Sequence, residues 1–322
     1  MRDGDVGDPP HCKRDGSHER WYVWPFLVST LDVPWPIFRC AFPGGNVEHG
    51  TYSVRLHYAP FIGVSLTRGS GGQYHWVSEF APKNWQRFLS YCSGWLSAIS
   101  WQSIVVVDCY LVALTIQAMI EVGNPTYVPV RWHATLLTIA TALGVSCFNI
   151  FLAGHLSLCE GIFSLCHVFA FVPVVVSLWV LAPKQPASEV FLHFTDNGGG
   201  WPNIAISVLV GQVSNMFVVL GSDGVAHLAE EIEDAGLTLP KSMVWSYILN
   251  APLAIGMVVT ICFNVTSVQD AVSSTMPFVY IFAQAFVIPR VTIAFSAVML
   301  GLLMMITVSA LASTSRQTFA FA

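Results

Sequence analysis

Apolar residues run in long blocks from about residue 94 onward, and polar residues collect between the blocks. A bilayer-crossing helix needs about 20 mostly apolar residues. Blocks of that kind lie near 94–120, 134–153, 162–182, 203–221 continuing to 229, 243–264 and 291–312, which predicts about six spans. Turn chemistry bounds several of them: Gly123-Asn124-Pro125, Ala182-Pro183-Lys184, and Asn197 with Gly198 to Gly200. Met276 to Val287, ahead of Pro289-Arg290, is apolar but too short to span, and suits an interfacial or re-entrant helix. Residues 1–70 differ. Trp21 to Phe42 is aromatic and apolar, yet Pro25, Asp32, Pro34 and Pro36 divide it into pieces too short for an ordinary span.

The fourth block carries a flaw that a plain span has no use for. Gly221-Ser222-Asp223-Gly224 interrupts the apolar run about two-thirds of the way along. Backbone N–H and C=O groups freed at membrane depth cost several kcal/mol each unless they line a cavity or bind something. The segment therefore reads as a discontinuous helix, the best sequence pointer to a transporter's midplane binding site.

Composition places the whole chain in a membrane. Of 322 residues, 54% are hydrophobic and 10% charged, where soluble domains carry about 25% charged residues. The net charge of -5 provides no basic patch for nucleic acid. The 8 cysteines form no CxxC or Cys/His metal spacing; Cys92, Cys109, Cys147, Cys166 and Cys262 lie inside apolar blocks and read as small buried hydrophobes. Met1 to Arg20 lacks the apolar region of a secretory signal, so insertion would rest on the internal spans. With the loop before the first clear span in the cytoplasm, Arg68, Lys83, Arg87, Lys241 and Arg316 lie inside and Arg131, Lys184 and Arg290 outside. The glycosylation sequon Asn264-Val265-Thr266 then falls outside the end of the fifth span.

A series of motifs follows in fixed order: Gly71 to Val77 (GGQYHWV), Phe88 to Tyr91 with Gly94-Trp95-Leu96, Arg131-Trp132-His133, Glu160-Gly161, Gly200-Trp201-Pro202, Gly221 to Gly224 with Glu230-Glu231-Ile232, Pro240 to Trp245, and Ser313 to Gln317. Together they resemble the fungal choline, GABA and amino-acid permeases of the amino acid–polyamine–organocation superfamily. The resemblance covers about 250 residues. It implies an all-α integral membrane protein built on inverted five-helix repeats, with the first and sixth helices unwound at the substrate site. Aligned on these motifs, the spans look like the family's third to eighth helices. The expectation is a partial bundle, truncated at both ends, with residues 71–322 as the partial permease domain and 1–70 as an irregular segment that does not match the family.

Within the sixth-helix match, Gly221 and Gly224 permit an unwound turn and close approach of a ligand. Carbonyls freed at the end of the first half-helix attract an amine or ammonium, and Ser222 and Asp223 add an acceptor and a charge partner. The other reading is a glycine kink used for packing. Glu230 and Glu231 are gate candidates or a solvated acidic helix end. Asp108, in mid-span, is a candidate for proton coupling or a substitution private to this chain, since a membrane-depth carboxylate must be neutral, paired or wet. His167 matches a histidine common in the family and reads as a proton relay or a packing residue. Gly301, Ser309, Ser313 and Thr314 read as a packing face of the last span. Trp95, Trp101, Trp132, Trp179 and Trp201 read as interfacial anchors.

The leading expectation is a secondary transporter that moves a small amino-containing solute (an amino acid, GABA or choline) by alternating access, with a coupling proton or by exchange, in the plasma or vacuolar membrane. The alternative is an inactive fragment without transport activity. An enzyme would need clustered nucleophiles or metal ligands, and the histidines fall into no HxxxH or HExxH spacing. No cofactor or metal is expected.

Overall fold

The computed structural model describes residues 72–191, 200–217, 221, 223–229, 232 and 235–321, and every regular element among them is helical. In chain order these are α1 (Gly72–Phe80), α2 (Gln86–Gly123), α3 (Arg131–Phe151), a 3-10 turn (Ala153–His155), α4 (Leu156–Leu181), α5 (Ala187–Phe191), α6 (Ile204–Phe217), α7 (Gly224–His227), α8 (Ala235–Asn264), α9 (Val268–Ser273), α10 (Pro277–Ala285) and α11 (Pro289–Phe321).

Five stretches among the described residues are long and apolar enough to cross a bilayer: Gln86–Gly123, Arg131–Phe151, Ala153–Leu181, Thr238–Asn264 and Pro289–Phe321. The fourth expected block is not one of them. Its first part, α6, has 14 described residues, and residues 218–220 lie outside the described ones. Gly221 lies in a turn, and helix is next described as the four-residue α7. The apolar stretch after Met276 forms the nine-residue α10.

The antiparallel pair α2 and α11 forms the most extensive interface. Gly94 meets Phe321, Trp101 meets Thr314, and Gly123 meets Ile293, so early residues of one helix face late residues of the other. Gly94 has no space for a side chain, because the Phe321 ring lies where a Cβ would be. Two apolar clusters brace this pair. Val145 and Leu156 pack with Val308 and Ala312, joining α3 and α4 to α11. Val174 and Leu178 of α4, with Ala182 just past its end, pack with Ile281, Phe282 and Ala285 of α10, and Phe286 completes the cluster.

The outward faces of the spans are apolar. Leu136, Ile139 and Leu143 on α3, and Leu158, Leu165 and Phe169 on α4, are all exposed. In water such a surface would aggregate, whereas lipid solvates it. The cysteines follow this surface more than the core. Cys109 is buried, but Cys147, Cys166 and Cys262 are exposed, correcting the expectation of buried hydrophobes.

Candidate functional site

The broken helix is held open by two glycines for two different reasons. Gly221 has φ 96, in the left-handed region that favours glycine. Gly224 is needed for closeness: a Cβ there would lie 3.2 Å from Cη2 of Trp101 and 3.5 Å from Oγ of Ser313. The turn thus wedges between α2 and α11. Between the glycines, Asp223 precedes α7 but its carboxylate does not cap that helix. It accepts instead a hydrogen bond at 2.9 Å from Nε2 of Gln73 on α1. His227, one turn on, places Nε2 3.8 Å from the same oxygen, Oδ2.

Buried side chains pack around the turn that carries this carboxylate. Asp223 is 7% exposed and His227 fully buried. The Trp101 ring stands edge to face with the His227 imidazole, centroids 5.3 Å apart. Thr314 donates its hydroxyl to the Trp101 carbonyl at 3.2 Å and to Ala310 O at 2.7 Å. On the opposite side, Gly72 (φ 53) presses against His227, and a Cβ at residue 72 would lie 2.7 Å from Cε1 of that ring. One turn beyond Thr314, the fully buried Gln317 has neither amide atom hydrogen-bonded, and Ser97 Oγ on α2 is likewise buried without a partner. Buried polar atoms left without a hydrogen bond are costly, and most buried polar atoms have a partner.

The sequence of residues 49–322 matches the model of the amino acid permease family. The chain belongs to that family. A Macrophomina phaseolina protein named for amino acid/polyamine transport is 30% identical over 66% of this chain and 47% of its own length. A swainsonine transporter of Arthroderma benhamiae is 27% identical over 63% and 40%. A choline transporter of Saccharomyces cerevisiae is 24% identical over 64% and 37%. The permease chain spans less than half the length of these relatives. They are named as transporters, not enzymes. The family match begins ahead of residue 71, the sequence boundary, and residues 1–70 lie outside those described.

The permease structure sorts the remaining expected residues. Ser222, Glu230 and Glu231 lie outside the described residues. Asp108 is 3% exposed on α2, and its Oδ2 has no hydrogen-bond partner. The α2–α11 register sets it level with the buried Thr307, away from the broken turn. His167 is exposed on α4. Asn264, the asparagine of the sequon, ends α8 only 1% exposed, donating Nδ2 to Thr260 O at 2.5 Å.

On α11, a Cβ at Gly301 would point into open space and Ser313 lies beside Gly224, while Ser309 donates to Glu160 Oε1 at 2.9 Å. Trp95 and Trp132 are exposed as anchors would be, whereas Trp101 is 6% exposed and walls the turn. Gln73, Trp101 and His227 were not singled out by sequence as site residues. Gln73 and His227 do lie in or beside motifs of the resemblance. Among the described residues no three His, Cys, Asp or Glu side chains gather as a metal site would.

Proposed function

We propose that this permease chain moves a small amino-bearing solute across the plasma or vacuolar membrane by alternating access around the turn at Gly221, Ser222, Asp223 and Gly224. The observation that carries the reading is the Asp223 carboxylate, buried at a helix break whose turn packs against Trp101 at Gly224. A carboxylate so placed attracts an ammonium group, and an indole face adds cation–π attraction of about 0.5–2 kcal/mol. The relatives named for choline and for amino acids or polyamines transport solutes that carry such nitrogen. GABA, choline and amino acids are the solutes to test.

Asp108 is the proposed carrier of a coupling proton, since its carboxyl is buried at membrane depth with one oxygen unpartnered. Glu230 and Glu231 are proposed as gating carboxylates and His167 as a secondary relay. Uptake of labelled GABA, choline and an amino acid into proteoliposomes tests the reading. It predicts uptake above empty liposomes for at least one of them; a folded protein that transports none overturns it.

A further inference from the structure

We infer that Gln73 is a stand-in ligand: its side-chain amide occupies the place of the solute's ammonium on Asp223 and ties α1 to the broken helix until a solute displaces it. The inference rests on the reading of Asp223 as the solute's counter-charge.

The contact is a 2.9 Å hydrogen bond between Nε2 of Gln73 and Oδ2 of Asp223, linking residues 150 apart in sequence. A buried carboxylate left without a partner is strongly unfavourable, so a site that empties in each transport cycle needs something to satisfy it. An amide N–H is a fitting substitute because it donates a hydrogen bond but brings no positive charge. The amide's bond already has an ionised acceptor, but an ammonium adds to its own contact the Coulomb attraction of a full opposite charge, which is strengthened in a water-poor site. An arriving ammonium therefore outcompetes the amide, and its departure lets the amide return.

The rest of α1 turns that exchange into a mechanical signal. Gly72, beside Gln73, lies against the His227 ring. The remaining ties of α1 lead away from the break. Ser90 donates to Tyr74 O at 2.9 Å, Tyr74 donates its hydroxyl to Ala320 O at 2.7 Å, and Gln86 donates to Ser78 O. These hold α1 to α2 and to the end of α11. Releasing the Gln73 bond thus leaves the first turn of α1 held to α7 by the Gly72–His227 packing, loosening it while its body stays anchored, which couples solute occupancy to opening on that side.

Hydrogen–deuterium exchange of the α1 amides, in the full chain in lipid nanodiscs with and without GABA, tests this together with GABA affinity. In Gln73→Ala, α1 should exchange about tenfold faster without GABA, the size of effect expected for one hydrogen bond to a charged group. GABA affinity should rise by a similar factor because the competitor is gone. In the wild type, GABA should speed α1 exchange; in Gln73→Ala it should not. Unchanged exchange in Gln73→Ala, or weaker GABA binding by a folded Gln73→Ala protein, overturns the inference. A wild type that binds none of GABA, choline and an amino acid, with Gln73→Ala still loosening α1, overturns the solute reading of Asp223 and reduces Gln73 to a structural tie; if it binds choline or the amino acid in place of GABA, that solute takes GABA's part in the same measurements.

Discussion

Thr314 on α11 hydrogen-bonds the backbone carbonyl of Trp101 on α2 at 3.2 Å, and so fixes the tryptophan that walls the broken turn. Thr314→Val keeps the shape and removes the bond. Interhelical hydrogen bonds in membranes contribute about 0.6 kcal/mol on average, so thermal unfolding in detergent should show only a small loss of stability. Solute binding should fall severalfold more than stability suggests, because Trp101 is released. Equal, small effects on both would remove Trp101 from the site.

Gly94 and Phe321 should behave as a coupled pair. A methyl group at residue 94 collides with the Phe321 ring, so Gly94→Ala should destabilise the fold by about 1–3 kcal/mol, as overpacking does. Phe321→Leu, harmful by itself, should relieve part of that cost in the double variant. Additive losses in a double-mutant cycle would mean that the two residues do not meet.

The Trp179 indole donates to Thr260 Oγ1 at 3.0 Å, tying α4 to α8. Trp179→Phe and Thr260→Val should each lower stability by about 1 kcal/mol, with much of the loss shared in the double variant. Chemical denaturation in mixed micelles measures this. Full additivity would place the indole elsewhere.

Asp108 separates coupling from binding. Asp108→Asn retains the shape, removes the ionisable group and sits away from the turn. It should bind solute normally and still exchange it, but fail to accumulate it when a pH gradient is imposed across proteoliposomes. Gradient-driven accumulation at the wild-type level would exclude Asp108 as the proton carrier.

The spans and the break were legible because both are local patterns: apolar length for the spans, and glycines with a carboxylate inside an apolar run for the break. Boundaries were less so. The third span was expected to begin near 162, but helix starts at 156, because Glu160, which interrupts the apolar pattern, is satisfied by Ser309 on another helix. Trp101 read as an interfacial anchor because the apolar block opens near 94. The helix itself opens at Gln86, which carries Trp101 about four turns in, against the broken turn.

The partner of Asp223 was beyond the reach of local reading. Gln73 lies in a short helix outside the predicted spans, and only tertiary packing brings it to the break. The cysteines show the converse limit. An apolar helix in lipid has no polar face to mark its outside, so Cys147, Cys166 and Cys262 could not be assigned to core or lipid by periodicity.

Equilibrium binding of GABA, choline and an amino acid to the purified chain, wild type against Asp223→Asn, tests the central claim most directly. Asn keeps the shape and the Gln73 contact but removes the charge. The account predicts saturable binding of at least one solute by the wild type and a loss of about a hundredfold or more in Asp223→Asn, the scale of removing one buried counter-charge. Wild-type affinity in a folded Asp223→Asn protein would contradict it.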